Sequence, residues 1–277
     1  MSREDWKSAI KIPVGCLPGG SGNALCCSIN YAAGEPVLHD LVIHSTFILI
    51  KHRVIPMDLV VVQTPSKKYF SFLSVTWGLL ADIDFESEQY RSMGEARFTI
   101  GAIRRIIGKY CPQKFKSLIQ FYEQTGCQRP HSNSKCRRTA LHTKQNYSNS
   151  KSTVNSQDEI EGWVVIEDEF ILAGALYQTH LGSDMLAAPN AHINDGFIYL
   201  MFIRQGISRN ALLNLFMSFN EGNHVDSPHV ELVRCLAFRL EPLSPGGNIM
   251  IDGERCDPCP IQVGMIKNIV SIIHFMI

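Results

Sequence analysis

The chain has 277 residues, 45% hydrophobic and 19% charged, which suits one large globular domain or two modest ones and excludes a disordered or multispanning chain. Twenty-six Lys and Arg balance twenty-six Asp and Glu, so the cationic surplus that nucleic-acid binding needs is missing, and no nucleic-acid partner is expected. Nine cysteines, an odd number with Cys26 and Cys27 adjacent, suit reduced thiols in a cytoplasmic protein rather than a disulfide framework.

The polar start, Met1 to Lys7, lacks the apolar core of a secretory signal. Ile10–Leu17 reads as a short buried strand entering the turn Pro18-Gly19-Gly20, Asn23–Ala33 as a helix closed by Gly34 and Pro36, and Leu41–Ile50 as a second strand. That is a piece of an α/β unit. From Val54 onward β-rich runs dominate: Val54–Thr64, Lys68–Thr76, Gly162–Tyr177, Gly196–Arg204, Val230–Leu240 and Asn248–Ile251. Repeated short strands of this kind predict an antiparallel sheet or sandwich. Helices are expected at Ser87–Tyr110, with Phe98, Ile100, Ile103, Ile106 and Ile107 on one side, and at Ser208–Phe219. Between them, Gln124–Gln157 has no acidic residue but carries Arg129, Lys135, Arg137, Arg138, Lys144 and Lys151. It is expected to be a disordered basic insertion, either a solvated loop or a tether to anionic lipid. The tail Ile261–Ile277, interrupted by Lys267, Asn268 and His274, reads as a buried strand or short segment rather than a membrane span.

Three stretches carry chemistry. In Leu17-Pro18-Gly19-Gly20-Ser21-Gly22-Asn23-Ala24-Leu25 the glycines allow an anion close to the backbone, and the helix that follows points unpaired N–H groups at it. Either a phosphate site or a plain tight turn fits; the Walker A ending and the dinucleotide G-x-G-x-x-G spacing are both absent. In Trp77–Glu88, Asp82 and Asp84 share a face if the segment alternates. They would bind a metal, hold an ammonium group, or cap the helix expected near Ser87. Arg91 and Arg97, six apart, do not share a strict helix face but suit bidentate contact with different phosphates. The third stretch, Ile251-Asp252-Gly253-Glu254, is first of all a hairpin turn whose two acids would reach a nucleotide or its metal. Cys256-x-x-Cys259 beside it has zinc-like spacing without a second pair of ligands.

Taken in order, these stretches resemble the sphingosine kinases, members of the diacylglycerol-kinase-like lipid kinases. The resemblance rests on Pro18 to Leu25, on Trp77-Gly78 with Ala81 to Asp84, on Tyr90-Arg91, on Gly94 to Thr99, on His180 to Met185, and on Asp252-Gly253-Glu254. It implies a mixed α+β fold: part of an α/β nucleotide-binding domain at residues 1–52, then an antiparallel β-sandwich lipid-binding domain at 53–277 with the insertion at 124–157. It implies ATP and Mg²⁺ as cofactors, with Gly20, Ser21, Gly22, Asn23, Arg91, Arg97, Gly253 and Glu254 on the nucleotide and the metal ligands left open. Asp84 would hold the polar head of sphingosine, and Phe98, Leu181, Met185, Met201, Leu212, Phe216 and His224 would line the cavity for its tail.

The implied reaction is phosphorylation of the primary hydroxyl of a sphingoid base by a cytoplasmic enzyme associated peripherally with membranes. One departure bears on it. The Gly-Asp-Gly segment whose aspartate is the family's presumed base does not occur in these 277 residues, and transfer depends on positioning the nucleophile. The chain as written is therefore expected to bind lipid better than it phosphorylates it. The alternative reading is a catalytically silent isoform that binds sphingoid lipid or pairs with an intact kinase chain.

Overall fold

The computed structural model describes residues 4–94, 96–108, 115–123 and 163–274; the basic insertion at 124–157 lies outside them. After a single helical turn, α1 (Trp6–Ala9), the run Ile10–Leu17 does not form the expected strand. It makes one isolated bridge, Val14 to Ile272, and Ile12, Val14 and Leu17 are exposed. Pro13 removes a donor within the run and Gly15 offers no side chain to pack, so its apolar content is not enough to make a strand. Helix α2 (Ala24–Ala32) follows the glycine-rich turn and buries Cys26, Cys27, Ile29 and Asn30. Leu41–Ile50, expected as a strand, is helix α3 (Leu41–Lys51). An apolar run of this length is ambiguous by pattern alone, and length favours the helix. Only Ser45 and Ile48 of α3 are buried; Ile48 packs with Ile29, Ala33, Met57 and Ile272 in a small core that joins α2 and α3 to the sheet.

The strands run β1 (Arg53–Gln63), β2 (Lys68–Ser71), β3 (Ser74–Gly78), β4 (Phe115–Glu123), β5 (Trp163–Leu176), β6 (His180–Gly182), β7 (Met185–Leu186), β8 (Ile198–Arg204), β9 (Glu231–Pro242), β10 (Ile249–Ile251), β11 (Glu254–Cys256) and β12 (Ile261–His274). Every ladder between these strands is antiparallel. The main path is β11-β10-β3-β5-β4-β9-β12-β1-β2, with β8 pairing both β5 and β9. β5 and β9 are long enough to pair β4 along one half and β8 along the other, which folds the sheet over on itself around one core. β4 escaped the sequence reading. Its alternation of buried Ser117, Ile119 and Phe121 with less buried Leu118 and Gln120 is diluted by polar residues. The run Lys68–Thr76 splits into β2 and β3, because the Asp252 carboxylate takes the amides of Phe72, Leu73 and Ser74.

The expected helix at Ser87–Tyr110 is two helices and a turn. α4 (Leu79–Ser87) starts directly after β3 at Gly78, whose φ is +72°. A 3-10 segment, Glu88–Met93, follows, and α5 (Ala96–Ile107) begins beyond Gly94, φ +59°. α6 (Arg209–Met217) is capped by Ser208, whose hydroxyl accepts from the Ala211 amide at 3.2 Å, close to the expected Ser208 start. α4, α5 and α6 cover the second face of the sheet. Along β8 the two faces alternate strictly: Ile198, Leu200 and Phe202 point into the core inside the sheet, and Tyr199, Met201 and Ile203 into the core under the helices. Each such side chain, fully buried, contributes about 1.5–3 kcal/mol.

Candidate functional site

The glycine-rich turn closes on itself. Asn23 Nδ2 donates to the Gly20 carbonyl at 2.9 Å and Asn23 Oδ1 accepts from the Gly20 amide at 2.9 Å. The Asn23 side chain, expected on the nucleotide, thus braces the turn, and Asn23 itself, φ 48°, precedes α2 without a side-chain cap bond. The outer side is open: a methyl group on Gly19 would meet nothing within 4 Å. The inner side is packed, since one on Gly22 would lie 3.5 Å from the Phe98 ring and 3.7 Å from the Leu181 carbonyl.

Asp82 and Asp84 lie in a helix, not in an alternating segment, so two residues put them about 200° apart on α4. The expectation of a shared face fails, and neither caps a helix near Ser87. Asp82 is buried; it accepts from Arg105 Nη2 at 2.7 Å and from the Asn248 side chain at 2.7 Å. That makes it an internal strut between α4, α5 and the loop before β10. Asp84 faces the other way, with Arg97 Nη2 at 3.2 Å and its side chain 21% exposed. Burial, opposed by Arg97, pushes its carboxyl up to about 6. Arg97, nearly buried, also pairs with Glu88 and lies 4.1 Å above the Phe98 ring. Arg91 is mostly exposed and pairs with the same Glu88 at 2.8 Å.

The turn between β10 and β11 approaches from the opposite side. Asp252 and Gly253 have φ of 51° and 85°, the pair of positive values that a two-residue hairpin turn requires. Asp252 is wholly engaged: it accepts from Ser71 Oγ at 2.7 Å and from the Phe72, Leu73 and Ser74 amides at 2.9–3.0 Å. A methyl group on Gly253 would stand 3.9 Å from Asp84 Oδ2, so this clamp holds the hairpin against the α4 carboxylate.

These elements enclose one cavity of about 250 Å³, lined by Gly22 and Asn23, by Asp84, Glu88, Arg91 and Arg97, by Leu80, Ile83, Phe98, Leu181 and Met185, and by Gly253 and Glu254. Phe98 and Met185 also wall a smaller hollow of about 30 Å³ between α5 and α6, which Phe216 lines as well. Phe98 and Met185 are thus the wall that the two spaces share, and Asp84 lines only the larger one. Of the residues expected along a tail channel, Phe98, Leu181, Met185 and Phe216 face these two spaces. Met201 and Leu212 are packed in the core under the helices. His224 is buried as well, stacked 3.9 Å from Phe219 and bonded to the Ala187 carbonyl at 2.9 Å. Burial draws its imidazole down to about 4. Gly20 and Ser21 lie at the rim and do not line the cavity. Glu88 was missed in the sequence, although its position three before Arg91 is a helical ion-pair spacing.

Among the described residues no three His, Cys, Asp or Glu side chains stand together as a metal cluster, and no helix is long and apolar enough to cross a membrane.

Residues 131–274 match the family model described as the YegS C-terminal NAD kinase beta sandwich-like domain. Sphingosine kinase 1 of Mus musculus is 38% identical over 92% of this chain and 66% of its own length, and that of Homo sapiens 37% identical with the same coverage. Sphingosine kinase 1 of Arabidopsis thaliana is 34% identical over 87% of this chain and 48% of its own length. The chain thus spans about two thirds or less of these relatives. A solved diacylglycerol kinase from Bacillus anthracis str. Sterne superposes with a TM-score of 0.50 at 12% identity, covering 93% of this chain and 65% of the other. A second solved structure from that organism reaches 0.56 at 15%, covering 93% and 68%. At such identities the superpositions speak to the fold, a mixed α+β arrangement with a large antiparallel sheet.

Proposed function

Because the chain belongs to the sphingosine kinase family of diacylglycerol-kinase-like lipid kinases, we propose that it serves phosphorylation of a sphingoid base by ATP, with residues 1–52 on the nucleotide side and 53–277 on the lipid side. The observation that carries this reading is the placement of Asp84, a partly buried carboxylate in one cavity with the glycine-rich turn, two arginines and an apolar wall of Phe98, Leu181 and Met185. An ammonium group entering a partly dry site needs such a carboxylate, and a single alkyl tail needs the wall beside it.

ATP fits the residues present. The turn is open at Gly19, it leads into α2, whose first amides have no partner within the helix, and Arg91 offers a guanidinium largely in solvent. Gly253 and Glu254 close the cavity from the far side. Mg²⁺, carried with the nucleotide, would neutralise charge on the transferring group; besides Asp84, Glu88 and Glu254 are the cavity carboxylates outside the Asp252 clamp. Asp84 would orient the base so that its primary hydroxyl faces the γ-phosphate. No described residue is assigned as the general base. Because sphingoid bases partition into bilayers, the protein would take up its substrate at a membrane surface.

A second reading, a protein that binds sphingoid base without turnover or alongside an intact kinase chain, draws on Arg97. Its guanidinium is already engaged by Asp84 and Glu88, which leaves an incoming phosphate to compete for it. One experiment separates the two: sphingosine in mixed micelles with γ-labelled ATP and Mg²⁺, scored for both lipid retained and label transferred. Labelled lipid supports the kinase, saturable binding without label supports the binding protein, and absence of both rejects the lipid site.

A further inference from the structure

Two cysteines bracket the glycine-rich turn. Cys16 lies in the segment that enters it, Cys26 in the first turn of α2, and their sulfurs are 3.2 Å apart. Neither lines the cavity. Cys26 is buried and Cys16 half-buried, so the pair meets solvent through Cys16. Cys26 is held from behind by α3: the Ser45 hydroxyl donates to Cys26 Sγ at 3.7 Å, and Asn30 Nδ2 donates both to Ser45 Oγ and to the Cys26 carbonyl at 2.8 Å. A sulfur near the start of a helix, with a thiol and a hydroxyl as neighbours, favours the thiolate. Contact with Cys16, assisted by Ser45 and opposed by burial, lowers the Cys26 thiol to about 7; Cys16 is raised, first by the same contact.

We propose that Cys16 and Cys26 form an oxidisable dithiol whose disulfide staples the two ends of the glycine-rich turn, so that peroxide weakens nucleotide uptake. The effect on nucleotide rests on the reading of that turn as the ATP cradle; the thiol chemistry does not. Hydrogen peroxide is the oxidant. The Cys26 thiolate takes one peroxide oxygen, the O–O bond breaks, and the departing hydroxide is protonated to water. The sulfur of Cys16, losing its proton, then attacks the resulting sulfenic sulfur; the S–S bond forms and a second water leaves. Two thiols and one peroxide become one disulfide and two waters.

Bonding requires the sulfurs to close from 3.2 Å to roughly 2.05 Å, a movement of about 1.2 Å. Because Cys26 is fixed by Ser45 and the helix, Cys16 makes most of that movement, drawing Leu17 and Pro18 toward α2. Asn23 already ties both backbone groups of Gly20, so the shift falls on the open side of the turn, at Gly19. Cys259 supplies an internal control: burial raises its thiol to about 11, which keeps it protonated and slow toward peroxide.

The test treats the full chain with one equivalent of peroxide, alkylates the remaining thiols and maps peptides by mass, while a fluorescent ATP analogue reports binding. A cross-linked peptide lacking two hydrogens and joining Cys16 to Cys26 is expected, with affinity for the analogue lowered about tenfold and restored by dithiothreitol. Cys16→Ser and Cys26→Ala should each keep full affinity after peroxide. Alkylation of both cysteines after treatment overturns the proposal, as does a disulfide that leaves affinity unchanged. If the reduced protein does not bind the analogue, the ATP reading and the switch fall together, whereas the mapped peptide still decides the thiol chemistry.

Discussion

The Asp84 carboxyl provides the sharpest test of the site, because its environment predicts opposite effects on stability and on ligand binding. A carboxyl moved from the ordinary 3.8 to about 6 disfavours its ionised form in the fold by roughly 3 kcal/mol. Since the folded value is the higher one, the native state holds the proton more tightly than the unfolded chain. The associated stability is fully present below about pH 4 and is lost as pH rises through about 6. Asp84→Asn keeps the shape and an acceptor for Arg97 but cannot ionise. Relative to the parent it should gain nothing at pH 4 and about 3 kcal/mol at pH 7, which is a rise in midpoint of roughly 6–12 °C for a chain of this size. Denaturant unfolding of both proteins across that range measures the difference directly. Binding should move the other way. Sphingosine, as an ammonium, should bind the parent more tightly as pH rises through about 6, the variant should lose about tenfold or more, and an N-acylated analogue of equal length should be indifferent to both. Parallel stability profiles for the two proteins would refute the burial argument, and equal losses for the amine and the N-acyl lipid would refute the ammonium contact.

Three further outcomes follow from the frame around the cavity. Gly78→Ala places a methyl group 2.5 Å from the Ile171 carbonyl oxygen and 3.3 Å from Leu172 Cα at a φ of +72°, both being backbone atoms that cannot yield; a loss of about 2–4 kcal/mol is expected, read by thermal unfolding. Asp252→Ala strands the Phe72, Leu73 and Ser74 amides, so it should cost roughly 2–4 kcal/mol and raise amide exchange at the β2–β3 corner; unchanged protection there would show that the clamp is idle. Arg105→Met leaves Asp82 buried with Asn248 alone for a partner and should destabilise by about 3–5 kcal/mol, with sphingosine binding at 20 °C below the midpoint retained.

The sheet was legible where one face alternates or a run is continuously apolar. β1, β5, β8, β9, β10 and the tail strand β12 fall within a few residues of their sequence runs, because burial on both faces leaves nearly every position of a strand such as β8 hydrophobic. The same rule misread Leu41–Ile50, where a helix with Val42, Ile43, Phe47 and Ile50 exposed has the composition of a buried strand. What decides between them is which neighbour covers the run, and composition carries no information on that. Asp58 shows the limit from the polar side. It sits at the break in register between β1 and β12, buried, accepting the amides of Gly196 and Asn268 at 2.7 Å. These partners lie far away in sequence, so nothing local distinguishes it from a solvated aspartate.

The site follows the same division. The glycine-rich turn and the Asp-Gly hairpin are local structures; in the hairpin the positive φ values fall on Asp252 and Gly253 as its residues demand, whereas in the turn the positive φ falls on Asn23. The roles of the aspartates are set by tertiary contacts instead. Reading Trp77–Glu88 as extended paired Asp82 with Asp84, whereas Gly78 starts a helix that turns one into a strut beneath Asn248 and Arg105 and the other into the wall of the cavity. The consequence for function is specific. Asp82, Arg105 and Asp252 fix the scaffold through bonds made inside the fold, leaving Asp84, Glu88 and Glu254 on the cavity wall with Arg91 and Arg97, where Glu88 pairs with both arginines and Asp84 with Arg97. With Asp252, four carboxylates and two guanidiniums line the cavity, so its wall carries two negative charges in excess when Asp84 is ionised and one when it is protonated. On the proposed reading, an ammonium ligand is therefore held most strongly above the pH at which Asp84 gives up its proton, about 6, which ties recognition of the amine to a carboxyl that burial disfavours as an anion.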